Sequence, residues 1–224
     1  MMTQRPLAVA RSQRMVLSPL LMPHPVPSPP PQARSAVLWG EPGVARMATH
    51  AAAAAVAGGM SVAIIDGAMA FDVTTITAYA QARRVPPEQF LRHIHIARAF
   101  TCHQLATLLC ERLDPLLTSH RVGLVILLGP CTTFFDENIP FKEAFLLFQR
   151  ALCKIAELRQ RGPLLLMAQR LDASRTRRIT FVHALVRAVE LGIWVHTVDG
   201  HRHVQLVKPK RSDNRGSFQP VQRC

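Results

Sequence analysis

The chain has 224 residues, 49% apolar and 18% charged, a globular balance that excludes a disordered or collagen-like polymer. No apolar run reaches the ~18 residues that a membrane span needs. The formal charge of +13 is uneven: residues 1–34 hold four Arg and no acid, 35–169 twelve basic and ten acidic side chains, and 170–224 eleven basic and four acidic. A nearly neutral centre with cationic ends points to a polyanionic partner, nucleic acid ahead of an anionic membrane surface, although basic ends can also merely solubilise.

Arg5, Arg11 and Arg14 precede a short apolar stretch, 15–22, that Ser18 and Pro19 interrupt and no small-residue cleavage site follows. It does not read as a secretory signal, and a cytoplasmic location follows by default. Residues 23–31, PHPVPSPPP, read as an extended linker, so 1–34 is expected to be a Pro-rich, basic, disordered arm. The core is expected over 35–207. It opens with a short apolar strand over 36–39 ending at Gly40, then an Ala-rich helix over 47–57 that stops at Gly58-Gly59.

A β-branched strand over 61–65 closes on Asp66-Gly67, and helical segments follow over 74–83 and, after Pro86-Pro87, 88–92. The spacing then predicts a strand over 93–97, an amphipathic helix over 101–113, a buried strand over 122–128, a long helix over 140–161 and a second buried strand over 164–168. A helix over 180–191 leads to strands over 194–198 and 203–207 around Asp199-Gly200, a strong hairpin signal. Buried strands alternating with helices of ten or more residues predict an α/β fold: a mostly parallel sheet flanked by helices, with a C-terminal antiparallel hairpin. The end, 208–224, lacks helical periodicity and is expected to be a basic, disordered tail.

The five cysteines, Cys102, Cys110, Cys131, Cys153 and Cys224, form no C-x-x-C pair or disulfide framework, and the first four sit in apolar segments and read as buried thiols. Histidines alternate at His93 and His95 and flank the hairpin at His201 and His203, but no cysteine or carboxylate cluster joins them, so no metal site is expected. His103-Gln104 reads as a helix cap.

The turn Gly40-Glu41-Pro42-Gly43-Val44-Ala45-Arg46-Met47 lies between a buried strand and a helix, where a phosphate-binding P-loop belongs, and fits G-x-x-x-x-G-K-T imperfectly. Ala45 stands at the second glycine, Arg46 at the lysine and Met47 at the magnesium-binding hydroxyl. A plain strand-to-helix turn fits it better. With Ala63-Ile64-Ile65-Asp66, Phe71, Pro86-Pro87-Glu88, the run Ile94-His95-Ile96-Ala97-Arg98-Ala99-Phe100-Thr101 and His103-Gln104, residues 35–207 resemble the RecA/RadA recombinase family of P-loop ATPases.

The resemblance implies a RecA-like fold, with 122–128 as the Walker B strand and 164–169 as the strand whose terminal glutamine senses nucleotide. Its chemistry is missing here. Ala68 stands where the family carries its catalytic glutamate, and the Walker B strand ends Leu127-Leu128-Gly129-Pro130 without the magnesium-coordinating Asp. Together with Met47, these departures imply a pseudo-ATPase with no catalytic residue and no cofactor. Arg46, Gly40 and Gly43 leave weak or absent ATP binding, since Ala45 makes a left-handed backbone costly.

In the family, loops after the Walker B and sensor strands face DNA. Here the second holds Arg170, Arg175, Arg177 and Arg178, and the tail adds Lys208, Lys210 and Arg211. These are the candidate nucleic-acid contacts, single-stranded DNA first, against the alternative of a solvated loop. Phe134-Phe135 in the first loop offers either rings for bases or a core pair. The family's Phe-x-x-Ala docking segment does not precede Ser35, which argues against self-polymerisation. The resulting expectation is a non-hydrolysing protein that binds DNA or a repair and recombination complex. The alternative is an adaptor for a polymerase or nuclease without direct DNA affinity.

Overall fold

The computed structural model describes residues 33–171, 178–199 and 201–207. Seven strands form one sheet in the order β3-β2-β4-β5-β1-β6-β7: β1 is Ser35–Gly40, β2 Ser61–Asp66, β3 Ile94–Arg98, β4 Val122–Leu128, β5 Leu164–Arg170, β6 Leu191–Val198 and β7 His201–Val207. The first six run parallel, and β7 pairs antiparallel with β6 in a hairpin that sets Val198 opposite His201. Asp199 adopts φ 51°, the left-handed backbone that a tight hairpin turn demands. The expected α/β architecture, with its antiparallel C-terminal edge, is the one observed.

The helices are α1 Val44–Ala57, α2 Val73–Ala82, α3 Pro87–Leu91, α4 Cys102–Thr107, α5 Leu113–His120, α6 Phe141–Arg161 and α7 Ile179–Ala188. Alternation along the strands sorts the core into two layers. Leu38, Ile64, Ile126 and Leu166 pack against α1, α2 and α3, while Val37, Ile65, Val125 and Leu165 pack against α4 to α7. The inward stripe of α6 is Ala144, Phe148, Ala151, Ile155 and Leu158, stepping by fours and threes as a one-faced helix must. No helix among the described residues is long and apolar enough to cross a membrane.

Several element boundaries differ from expectation, and two of them have a clear physical cause. The helix expected to end at 113 continues to His120, through Asp114-Pro115, by way of a π-helical turn over Leu108–Arg112. Proline lacks an N–H and its ring crowds the carbonyl four residues earlier, here Glu111, so the widened turn sits where that carbonyl must move. At the other boundary α7 ends at Ala188, and Leu191 is the first residue of β6 rather than the end of a helix. Glu190 fixes that turn from a distance: its carboxylate accepts the Ser35 N–H at 2.9 Å, and its own N–H donates to Ser35 Oγ at 3.1 Å.

The helix caps follow local chemistry. Asp72 caps α2 by accepting the Thr74 N–H at 2.9 Å and the Thr75 hydroxyl at 2.7 Å. Hydrogen bonds from Thr74 and then Thr75 hold its carboxyl below the usual aspartate range. Thr101 caps α4 by accepting the Gln104 N–H, and Gln104 Oε1 returns to accept the Phe100 N–H at 2.8 Å. Gln104 thus caps its helix as expected, whereas His103 instead meets Glu143 at 3.2 Å.

Candidate functional site

Six parallel strands end on one edge of the sheet, so the connections after β1, β2, β4 and β5 gather there, where ligands bind in open α/β folds. β1 stands between β5 and β6, and the connection from β1 to α1 is Glu41-Pro42-Gly43. Gly40 takes φ 133°, and a Cβ there would lie 2.0 Å from the Val195 carbonyl oxygen, so only glycine fits. The backbone is tied on both sides: Glu41 N–H donates to Val195 O at 3.1 Å and Leu171 N–H to Gly40 O at 2.6 Å.

The left-handed position at the start of α1 is Gly43, with φ 111°, and α1 begins at Val44. Ala45 is therefore already helical, which corrects the expectation that a left-handed backbone is demanded of it. Arg46 is exposed, while Met47 is only 6% exposed and belongs to the core against α1 and the sheet. Met47, which the resemblance sets at the metal-binding hydroxyl, is thus a core side chain. A residue not anticipated, Arg202 of β7, occupies the space beside Gly43: its guanidinium Nη2 is 3.0 Å from where a Cβ would sit. Glu41 accepts a hydrogen bond from the Thr197 hydroxyl, and that bond, with His196 and Arg202 nearby, holds its carboxyl below the ordinary range.

The connections after β2 and β4 are locked together. The Asp66 carboxylate is fully buried and accepts three backbone N–H groups, Ala68 and Ala70 on Oδ1 at 3.1 Å each and Phe71 on Oδ2 at 2.9 Å. Gly67 N–H donates to Leu128 O at 2.8 Å, and Gly129 N–H donates to Ala168 O at 2.7 Å. Gly129 has φ 61°, and a Cβ added to it would lie 2.3 Å from the Ala68 methyl and 2.5 Å from Thr132 Oγ1. Ala68 thus packs directly on the Gly129 backbone. Leu127 and Leu128 are fully buried.

Gln169, at the end of β5, is fully buried and has its hydrogen-bonding groups engaged. Its Oε1 accepts the Cys131 N–H at 2.8 Å, and its Nε2 donates to Arg170 O at 2.8 Å and toward Thr132 Oγ1 at 3.4 Å. In this arrangement it braces the β4–α6 connection. Burial pushes the Cys131 thiol far above the ordinary cysteine range. Cys102 is buried too, but Cys110 is only partly buried and Cys153 is exposed, a correction to four buried thiols; Cys153 falls on the outer phase of α6.

The expected nucleic-acid residues separate into groups. Arg170 is exposed at the tip of β5. Arg178 is tied into the protein, its guanidinium donating to the carbonyls of Phe134 at 2.7 Å, Asp136 at 2.8 Å and Ile139 at 2.7 Å. Arg175, Arg177, Lys208, Lys210 and Arg211 lie outside the described residues. Phe134 is fully buried among Phe148 and Phe181, so the core option holds for it, while Phe135 is partly buried against the same cluster.

His95 packs on His120 with ring centroids 4.0 Å apart; burial first, then the neighbouring His120 and His93, lowers its pKa. Among the described residues no group of three or more His, Cys, Asp or Glu side chains is placed to hold a metal ion. Sequence reading also missed an aromatic row on the sheet, where Trp39 lies in register with Trp194, and Trp194 stacks on His196. The signal for part of it is the period-two placement of Trp194, His196, His201 and His203; the approach of β1 to β6 has no local signature. Compared with known proteins, the chain matches no family model and no curated protein.

Proposed function

We propose that this chain is a non-hydrolysing, RecA-like DNA-binding protein, with single-stranded DNA as the favoured ligand and a role in DNA repair or recombination. The observation that carries the non-hydrolysing half is the packing at three positions of the carboxyl edge. Met47 is in the core, Ala68 lies on Gly129, and Leu128 is fully buried. Metal-assisted phosphoryl transfer needs oxygen ligands and a group that orients water, and apolar side chains supply neither. The DNA half is supported by the charge of +13 and by exposed Arg170 opening a segment that also contains Arg175 and Arg177. A cytoplasmic setting goes with this reading.

The test is anisotropy of a labelled single-stranded oligonucleotide at several salt concentrations, beside an ATPase assay. Wild type is compared with an Arg170→Ala, Arg175→Ala, Arg177→Ala variant that keeps Arg178. Salt-sensitive binding, a shallower salt slope in the variant and no ATP turnover support the reading. Absence of binding at low salt removes it. A second reading, an adaptor that docks a polymerase or nuclease, is favoured by one observation. Phe141, Phe145 and Leu146 are exposed by 51%, 42% and 57%, an unusual amount of apolar surface at the start of α6. Co-purification of a defined catalytic partner, lost in Phe145→Glu and without DNA affinity, would select it.

A further inference from the structure

The first turns of α6 carry more apolar surface than a solvated helix needs. Leu146 is exposed there, and with Pro140 and Leu147 it lines an open groove between α4 and α6. His103 of α4 and Lys142 and Glu143 of α6 complete the lining, with His103 Nε2 3.2 Å from Glu143. Burial first, and more weakly the carboxylates of Glu143 and Asp136, raise the pKa of Cys102 at the start of α4, so both acids bear on this end of the groove. A contiguous apolar strip on a polar surface marks a place where another apolar segment docks.

One segment of this chain has the matching chemistry. Residues 15–22, MVLSPLLM, hold Leu17, Leu20 and Leu21 without a charge, and residues 1–14 hold Arg5, Arg11 and Arg14 without an acid. The described chain also begins where it can deliver that segment. Arg34 is fixed at the far end of α6, its guanidinium donating to the Gly162 carbonyl and its N–H to Glu190. From Gly162 back to Leu146 and Glu143 is about 24–29 Å along the helix. Residues 23–33, six of them proline, reach about 34 Å at the polyproline rise, so residue 22 arrives over the groove. The order of charges agrees as well. Going back along the chain, Arg14 and Arg11 lie beyond the apolar run, and beyond the first turn of α6 lie exposed Asp136 and Glu137. Against these acids stand Lys142 and Arg178, and the Arg178 guanidinium is already engaged by three carbonyls.

We propose that residues 15–22 dock in the α4–α6 groove of their own chain, with Leu17, Leu20 and Leu21 against Leu146 and Leu147, and with Arg11 and Arg14 toward Asp136 and Glu137. Docking of the arm needs no nucleic acid and goes beyond the DNA-binding reading. A flexible tether of this length holds the segment at an effective concentration on the order of millimolar, so a shallow groove suffices. The arm is then an internal occupant, and a catalytic partner that uses this face has to displace it.

The test is hydrogen exchange read by mass spectrometry on the full chain, without nucleic acid and over a tenfold dilution series. Amides within residues 15–22 are expected to exchange roughly tenfold slower than in a synthetic peptide of the same sequence, equally at every protein concentration. Leu146→Asp, at an exposed position, is expected to return them to the peptide's rate while exchange in β4 and β5 stays as in wild type. Should those strands also loosen, Leu17→Ser with Leu20→Ser leaves the core untouched and is expected to free the remaining arm amides in the same way. Exchange of the wild-type arm at the peptide's rate overturns the proposal. So does protection that survives these substitutions, or protection that fades on dilution, which puts the arm on a second copy.

Discussion

The carboxyl edge of the sheet has two halves that differ in how far their buried polar groups are engaged. On the β2–β4–β5 side most buried groups are paired: Asp66 collects three N–H groups, Gln169 uses both ends of its amide, and Ala68 closes against Gly129, with Thr133 Oγ1 the exception among the described residues. On the β1–β6–β7 side, Trp39 Nε1 and His196 Nδ1 are left without partners among the described residues, and Arg46 and Arg202 are exposed. A half whose polar groups are mostly engaged has little to offer a ligand. The difference teaches that the connections after β2 and β4, where the resemblance implies a catalytic glutamate and a magnesium-coordinating Asp, are committed to holding the fold.

The contrast is broken most severely at Asp66. Asp66→Ala leaves three backbone N–H groups without their acceptor and is expected to destabilise by on the order of 3–5 kcal/mol, read by urea denaturation. If it costs less than about 1 kcal/mol, the β2 connection is not the clamp described. Gly129→Ala comes next, at about 3 kcal/mol, because φ 61° disfavours a Cβ and the Ala68 methyl occupies its place. Adding Ala68→Gly should return about 1 kcal/mol of that by removing the methyl clash while leaving the backbone cost and the Thr132 contact, and a double-mutant cycle measures it.

The two arginines at the ends of the β5–α7 connection sharpen the comparison. Arg178→Ala, which frees three carbonyls, should cost about 2 kcal/mol of stability with little change in the salt dependence of DNA binding. Arg170→Ala should do the reverse, leaving stability within about 0.5 kcal/mol and lowering the salt slope by about 0.7 if it contacts one phosphate of a single strand. Identical behaviour of the two would erase the distinction. The smallest effect is expected at Asp72→Ala, about 1 kcal/mol from loss of the α2 cap. The Asp72 carboxyl is held below its ordinary range, so its contribution is present above the unfolded aspartate pKa and lost as pH falls through the folded value. Acid titration of the wild type minus the variant should show that sign.

Strands were legible wherever burial on both faces left a continuous apolar run, as in β4 and β5, and where Asp199-Gly200 announced the hairpin. Local pattern could not reveal that the helix passes through Pro115, because the accommodating π-helical turn depends on backbone geometry rather than on side-chain period. Nor could it place the end of α7, which Glu190 fixes through Ser35, 155 positions away. The same limit applies to the site. Ala68 beside Gly129, Arg178 on the Phe134 carbonyl and Arg202 beside Gly43 are all contacts between segments distant in sequence. Residue type alone marks Arg178 and Arg170 as equivalent, and only their surroundings separate them.

Cys131 gives the β2–β4–β5 half of the edge a clock. Its N–H is held by Gln169, its side chain is fully enclosed, and burial suppresses the thiolate that alkylating reagents require, so labelling must wait for the β4–α6 connection to open. Exposed Cys153, on the same polypeptide, reacts without that delay. The ratio of the two modification rates therefore reads how often this half of the edge breathes, residue by residue and without a ligand, and whether nucleic acid slows it.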